Sequence, residues 1–182
     1  MVLDVNAPGL PAHGHAFHTN RQRSVWLPAG SFEHTQGTRD WAVRGSAANV
    51  YEKFWALALD GSADELVMRE VEMPQDWDLG AITPVIVWAP SDNSGGNVFW
   101  QVVASGVAVG AQMDITLEDS SQALFAAGTT AEARKDASLG TVTPVDPFFN
   151  FYVWRVASHA LDTYDAHDVW FRGVRLLYTA DM

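Results

Sequence analysis

The chain has 182 residues, contains no cysteine and carries a formal net charge of −11. This length suits one domain that buries a core without covalent cross-links. The lack of cysteine excludes disulfides, thiolate nucleophiles and cysteine-based zinc sites. The excess of acidic residues argues against nucleic-acid binding, because phosphate backbones are also negative.

Residues 1–23 read as an extended arm. Pro8, Gly9, Pro11 and Gly14 interrupt it, and no hydrophobic period runs through it. It has no basic segment followed by an apolar run, so we expect no signal peptide. The whole sequence lacks an apolar stretch of the roughly 20 residues that a membrane helix needs, so no membrane association is predicted.

The arm contains "HGHAFH", with imidazoles at His13, His15 and His18. Three such ligands could hold zinc, alone or on the axis of a cyclic oligomer, but no fourth ligand is nearby and two arginines follow. We therefore predict an arm that docks on a partner and binds no metal or cofactor. Its predicted contact residues are His13, His15, Phe17, His18, Arg21 and Arg23.

From Ser24 to the end, the sequence indicates one all-β domain. Short runs rich in Val, Ile, Phe, Tyr and Trp are bounded by Gly, Pro, Asp and Asn, as in an antiparallel β-sandwich or jelly roll. "DGSAD" and "PSDNSGG" are predicted hairpin-type connections, and "TTAEARKDA" (129–137) and "AHDVW" are weak helix candidates. The predicted strands are 24–32, 50–59, 65–73, 82–89, 97–109, 121–127, 148–157 and 168–179.

The last two predicted strands are apolar on both faces, whereas a strand with one wet face should alternate. The chain is also rich in large rings, with eight tryptophans and nine phenylalanines. A thick core or an oligomer interface would explain the number of rings, and another subunit or a loop would explain the second apolar face. We predict an oligomer that buries this second face. The interface candidates are Phe149, Phe151, Trp154, Trp170 and Tyr178.

No strong catalytic motif is present, so we predict no enzyme activity. Glu70 and Glu72 could act as a hydrolase pair, and Asp162, Asp165, His167 and Asp168 could form a ligand or base cluster. A solvated edge explains the first pair better, and a polar connection explains the second group better. "SDNSGGN" suits a turn better than a calcium site. A sugar-stacking platform would use exposed indole rings, with candidates Trp26, Trp41, Trp77, Trp88 and Trp100.

The stretch "FFNFYVWRVASHALDTYDAHDVWFRGVRLLYT" resembles the C-terminal signature of a family of tailed-phage virion proteins. "SVWLPAGSF" and "FWALALDGSADELVMREVEMPQDWDLGAITPVIVW" are similar to its opening strand and central region, and "GGNVFWQV" to its glycine-containing hairpin. The matching positions are Trp55, Asp60, Glu65, Met73, Pro74, Trp77, Gly80, Thr83, Trp88, Val153, Arg155, Asp162, Thr163, Gly173, Val174, Leu176, Tyr178 and Thr179.

The resemblance implies a jelly-roll particle component with no catalytic motif. The function expected from it is capsid decoration, or cement: a homotrimer on the outer surface of a tailed-phage head, with the arm and Arg39 against the major capsid protein. A tail, fibre or baseplate component is the alternative within the virion. A carbohydrate-binding module is the alternative from another class.

Overall fold

A computed structural model describes residues 21–36, 40–44, 54–106, 119–164 and 167–181. These ranges contain eleven β-strands and one short 3₁₀ helix, Ala29–Ser31. The all-β prediction is confirmed. The strands are β1 (Arg21–Pro28), β2 (Glu33–Gln36), β3 (Asp40–Arg44), β4 (Phe54–Leu59), β5 (Glu65–Glu72), β6 (Thr83–Pro90), β7 (Asn97–Gly106), β8 (Asp119–Ala126), β9 (Lys135–Ser138), β10 (Phe148–Arg155) and β11 (Val169–Ala180).

The strands form two antiparallel sheets in a jelly-roll sandwich. Sheet I has the order β3-β4-β11-β6-β9. One edge of β11 pairs with β6. The other edge pairs with β4 along the first half of β11 and with β1 along the second half. Sheet II has the order β2-β5-β10-β7-β8. The chain passes repeatedly between the sheets, so every strand of one sheet can bury its inner face against the other.

The core lies between the two sheets. On β10, Phe149, Phe151 and Val153 point inward and are at most 2% exposed. Trp88 of β6 and Trp100 of β7 meet across the sandwich edge to face, with ring centroids 5.9 Å apart. Large rings therefore fill the interior of one chain, as a thick core requires.

This core corrects part of the oligomer-interface prediction. Phe149, Phe151 and Tyr178 are buried between the sheets of a single chain, so their burial needs no second subunit. Trp170 is 2% exposed and packs with Ala56, Ala58 and Ala89 in a small separate cluster. Of the five candidates, Trp154 alone is half-buried on an outer face.

The predicted helix at 129–137 is wrong. Residues 129–134 form turns, Glu132 has a left-handed φ of 62°, and Lys135–Ser138 is strand β9, which pairs with β6. Ala137 is fully buried under this pairing, and a tertiary contact therefore overrides the local helix preference. In "AHDVW", Val169 and Trp170 begin β11 instead of a helix.

The two predicted hairpin connections are tight turns, but they join strands of different sheets. Residues 60–64 lead from β4 in sheet I to β5 in sheet II, and residues 91–96 lead from β6 to β7. Asp60 and Asp92 each accept hydrogen bonds from the serine two residues on, which closes the turns locally. The sequence predicts these turns correctly because turn chemistry is local. It does not predict which strands pair, because strand pairing depends on distant residues.

A buried arginine ties together the end of the sandwich where these turns lie. Arg155 ends β10, is fully buried, and donates hydrogen bonds to the carbonyl oxygens of Leu59 (2.9 Å), His167 (2.9 Å) and Tyr164 (2.6 Å). The Asp162 carboxylate lies 3.6 Å from its guanidinium. Asp162 in turn accepts hydrogen bonds from the backbone amides of Phe99 and Tyr164. One side chain thus joins β4, β10 and the β10–β11 connection.

We expect Arg155→Ala to destabilise the fold by about 3–5 kcal/mol, because the buried Asp162 carboxylate and three carbonyl groups lose their donor. The measurement is the free energy of unfolding from urea denaturation. Arg23→Ala is the control: Arg23 pairs with Asp76 at the surface, and that loss should stay within about 1 kcal/mol. Equal effects of the two substitutions would contradict a central role for Arg155.

Gly173 allows β1 and β11 to approach closely. The pairing of β11 with β6 is irregular between Phe171 and Gly173, and Gly173 has a φ of 143°. A Cβ atom there would collide with the carbonyl oxygen of Leu27 and lie 2.9 Å from the indole Cη2 of Trp26.

Gly173→Ala should therefore cost more than about 2 kcal/mol of unfolding free energy, since both the backbone and β1 must move. In the control Gly140→Ala, the new Cβ would meet only the hydroxyl of Ser121, which can rotate away. If Gly173→Ala lowers the unfolding free energy no more than Gly140→Ala does, then β1 and β11 do not require a glycine at position 173.

Candidate functional site

The outer face of sheet II carries a row of aromatic side chains along one strand. Residues alternate between faces on a strand, so Phe148, Asn150, Tyr152 and Trp154 of β10 point outward while their neighbours fill the core. Phe148 is 49% exposed, and the other three are half-buried. We call these four residues the β10 row. Its side chains are spaced by roughly 7 Å along the strand.

Polar side chains flank the ends of the β10 row, whereas Tyr152 in its middle lies between Met68 and Val103. Trp154 lies opposite Gln101 of β7, and Gln101 lies opposite Gln122 of β8. Asn150 lies opposite Glu70 of β5. Paired residues share a face of the sheet, so amide and carboxylate groups stand beside the rings.

A groove of about 420 Å³ opens on this face next to the β10 row. The first residue of β2, Glu33, pairs with Met68 of β5. The residues of β5 that follow Met68 therefore have no partner in β2. The lining combines hydroxyl, carboxylate, amide and guanidinium groups: Ser31, Glu33, Met68, Arg69, Glu70 and Asn150. This volume lies within the range of small-ligand sites, and its lining can both donate and accept hydrogen bonds.

The proposed tryptophan platform is not formed as predicted. Trp77, Trp88 and Trp100 belong to the core, and the side chain of Trp41 lies outside the described residues. Trp26 is 47% exposed, but it lies on sheet I, opposite Arg175. The outward rings of β10 are Phe148, which is exposed, and Tyr152 and Trp154, which are half-buried. Apolar side chains on both faces of this strand were the signal in the sequence, and they predicted a covered face without saying what covers it.

The predicted arm contacts lie mostly outside the described residues. His13, His15, Phe17 and His18 precede residue 21. Arg21 and Arg23 belong to β1, so strand structure begins before the predicted domain boundary at residue 24. Arg23 forms an ion pair with Asp76, and Arg39 is not described. Docking by the arm stays a prediction.

The acidic cluster near the C-terminus is structural where it is described. Asp162 supports Arg155 and two backbone amides, as noted above, and His167 Nδ1 lies 2.8 Å from Asp92 Oδ2. Asp165 is outside the described residues, and Asp168 has a partner within the fold. In the parts of the chain that the structure describes, no three His, Asp or Glu side chains are grouped to hold a metal ion. The same residues include no helix that is long and apolar enough to cross a membrane.

Asp92 connects this cluster to the β6–β7 turn. Desolvation alone would raise the pKa of Asp92, but hydrogen bonds from the Ser94 amide, the Tyr164 hydroxyl and the Ser94 hydroxyl hold the pKa below its ordinary value. The pKa of Asp60 is also lowered, chiefly by hydrogen bonds from the amide and hydroxyl of Ser62. Both turns are therefore built around an ionised carboxylate.

No family model matches this sequence, and no curated protein matches it. Several solved structures are similar in shape. A carbohydrate-binding module of a multidomain xylanase, from the hindgut metagenome of Trinervitermes trinervoides, has 10% identity and a TM-score of 0.49, with 85% of this chain and 96% of that chain covered. The family 11 carbohydrate-binding module from Clostridium thermocellum, solved with a β-1,3-1,4-mixed-linked tetrasaccharide, has 4% identity and a TM-score of 0.47, with 87% and 98% covered.

A third similar structure belongs to an enzyme. An arabinose-bound α-L-arabinofuranosidase has 10% identity and a TM-score of 0.47, and the match covers 85% of this chain but 24% of that one. All three TM-scores are below 0.5, so these likenesses do not establish what this chain binds.

The virion prediction is corrected by these findings. The similar structures named above are carbohydrate-binding modules and a glycosidase chain, not phage capsid proteins, and only the jelly-roll part of that prediction is confirmed. The resemblance to phage proteins, the capsid partner, the trimer and the location on a particle stay predictions.

The lowered pKa values of Asp60 and Asp92 predict acid sensitivity of the turns. Each carboxylate stabilises the fold above its unfolded pKa of about 4, and this contribution is lost as the pH falls through the lower, folded pKa. Asp92→Asn should therefore be less stable than wild type near pH 6, and the difference should shrink towards about pH 2.

Urea denaturation at stepped pH measures this difference. Glu132→Gln, which changes an exposed carboxyl on a turn, is the matched control and should follow the wild-type profile. A difference between wild type and Asp92→Asn that stays constant with pH would contradict the linkage.

Proposed function

We propose that this protein is a non-catalytic carbohydrate-binding domain whose binding surface is the outer face of sheet II. The observation that carries the proposal is the β10 row, where aromatic rings stand on the outside of an antiparallel sheet beside amides and carboxylates. An outer face that only meets water needs no rings there, since polar side chains would serve.

A sugar ring matches this surface chemically. Its C–H face is apolar and packs on a flat aromatic side chain, whereas its hydroxyl groups both donate and accept hydrogen bonds. Tyr152 and Trp154 offer the rings, with few rotatable bonds to immobilise. Gln101 and Asn150 offer amide groups that donate and accept at once, so either hydroxyl orientation is satisfied.

The groove beside the row extends this surface. Asn150 and Arg69 can donate hydrogen bonds there, and Glu33 and Glu70 can accept them. The Ser31 hydroxyl donates to the Pro28 carbonyl oxygen and can accept a further hydrogen bond. The row runs along β10 for roughly 20 Å, so the surface accommodates a chain of several sugar units. Binding along this face calls for no chemical step.

A hydrolase is the weaker candidate. Glycoside hydrolysis requires two carboxyl groups that flank the scissile bond from opposite sides. Glu70 and Glu72 lie two residues apart on β5 and share one face of the sheet, so they approach a ligand from the same side.

Truncation of the rings tests the proposal. Trp154→Ala and Tyr152→Ala should each weaken binding to a neutral β-linked oligosaccharide at least about tenfold, or ~1.4 kcal/mol, because each removes a stacking surface. Affinity electrophoresis against soluble neutral polysaccharides identifies a ligand, and isothermal titration calorimetry then gives the dissociation constant.

Val145→Ala is the matched control, since Val145 is 63% exposed in a loop and its loss should leave binding unchanged. Thermal unfolding of each variant separates lost binding from lost folding. No binding to any neutral glycan would overturn the proposed function, and unchanged binding by both ring variants would remove the site from sheet II. Release of sugar products, abolished by Glu70→Gln, would favour the hydrolase.

A further inference from the structure

We infer that the outer face of sheet I carries a second site, which takes the carboxylate or sulfate group of an acidic sugar. The anion-binding part of this assignment rests on an arginine cluster around an exposed tryptophan. The choice of a sugar as the group that carries the charge rests on the proposed function. The site residues are Trp26, Arg134, Arg172 and Arg175.

Three separate parts of the chain bring these residues together. Trp26 of β1 lies directly opposite Arg175 of β11. Arg172 falls in the irregular step of β11, where the pairing with β6 passes from Phe171 to Gly173. Such a bulge re-aims a side chain. Arg134 reaches the same place from the turn before β9, because Asp136 lies opposite Val87.

These side chains line a cavity of about 140 Å³, with Val87 as its apolar wall. No acidic side chain lines it among the described residues. The volume is below the range of whole small-ligand sites, so it suits one charged group of a larger ligand.

The tryptophan is held as a fixed platform. Its indole Cη2 would be 2.9 Å from a Cβ at Gly173, so the ring lies over a position that has no side chain. It is nevertheless 47% exposed. A ring that rests on the backbone and shows its surface to solvent is ready to stack with a flat ligand, and it needs little ordering when the ligand binds.

Arg134 and Arg175 have donors to offer, whereas Arg172 has an interaction elsewhere in the chain. Asp136 binds Arg134 through Nε (2.8 Å) and Nη2 (2.7 Å), which leaves the Nη1 group of Arg134 outside this pair. Arg175 makes no hydrogen bond or ion pair with the rest of the described chain. The planar fork of a guanidinium matches a carboxylate or sulfate with two parallel hydrogen bonds.

The charge of the whole chain restricts the ligand. A net charge of −11 repels a densely charged polymer such as nucleic acid. A sugar with a single acidic group can enter a local positive site beside a ring without bringing other charges close.

The test uses the full chain and titrates it calorimetrically with a trisaccharide that contains one hexuronate unit, here called the hexuronate, and with its carboxyl-reduced, neutral counterpart. We expect Arg175→Gln and Trp26→Ala each to raise the dissociation constant of the hexuronate at least tenfold, and Trp26→Phe to retain most of the affinity. The neutral counterpart should not respond to Arg175→Gln. Arg23→Gln is the matched control, because Arg23 lies on the same strand, is ion-paired to Asp76 and should leave binding unchanged.

Further comparisons distinguish this site from the proposed site on sheet II and identify the anion. Loss of hexuronate binding in Trp154→Ala but not in Arg175→Gln would overturn the second site while supporting the proposed function. Loss in Arg175→Gln but not in Trp154→Ala would support the second site, whatever the neutral glycans do. A trisaccharide of otherwise neutral sugars that bears one sulfate group, compared with the hexuronate, shows which charged group is preferred. If inorganic sulfate binds as tightly as both, and Trp26→Ala has no effect, the sugar assignment is overturned.

Discussion

The buried guanidinium of Arg155 is the interaction on which this end of the sandwich depends. Strand pairing holds each sheet together, but the connections that pass between sheets have backbone carbonyls with no ladder partner. Arg155 donates to three such carbonyls, at Leu59, Tyr164 and His167. Burial lowers the pKa of Arg155, whereas the Asp162 charge opposes that effect. A guanidinium is not deprotonated in proteins, so the group stays ionised. A charge placed here can fix connections that apolar contacts would leave free to slide.

Arg155 also fixes the strand whose two faces form the core and the proposed binding surface, β10. Its inward residues, including Phe149 and Phe151, give the core its bulk, and its last inward residue is Arg155 itself. Because the strand is anchored at that end and paired on both sides, its outward residues are fixed in position too. The β10 row is therefore presented by the most constrained strand of sheet II, as a preorganised binding surface requires.

Much of the fold could be predicted from the sequence, because β-rich runs and turn residues are local signals. The turn chemistry at Asp60 and Asp92 was correct, yet the partners of the joined strands were not, since pairing is set by residues far along the chain. Strand β9 was missed because Ala131 to Ala133 favour a helix locally, and burial of Ala137 in the core between the sheets outweighs that preference. The apolar character of both faces of β10 was visible in the sequence. Whether water, a ligand or a subunit covers the outer face depends on tertiary structure, which no single strand encodes.

The grouping of Trp26 with Arg134, Arg172 and Arg175 could not be predicted at all. These residues come from three regions of the sequence, and a bulge and a glycine determine how they meet. Their positive charge lies on sheet I, whereas Glu33, Glu70 and the groove lie on sheet II. Packed sheets are roughly 10 Å apart, and side chains on both outer faces add to that distance. This separation exceeds the Debye length of about 8 Å at physiological salt. The acidic groove therefore does little to weaken the field of the arginines, and one acidic chain can present surfaces of opposite charge.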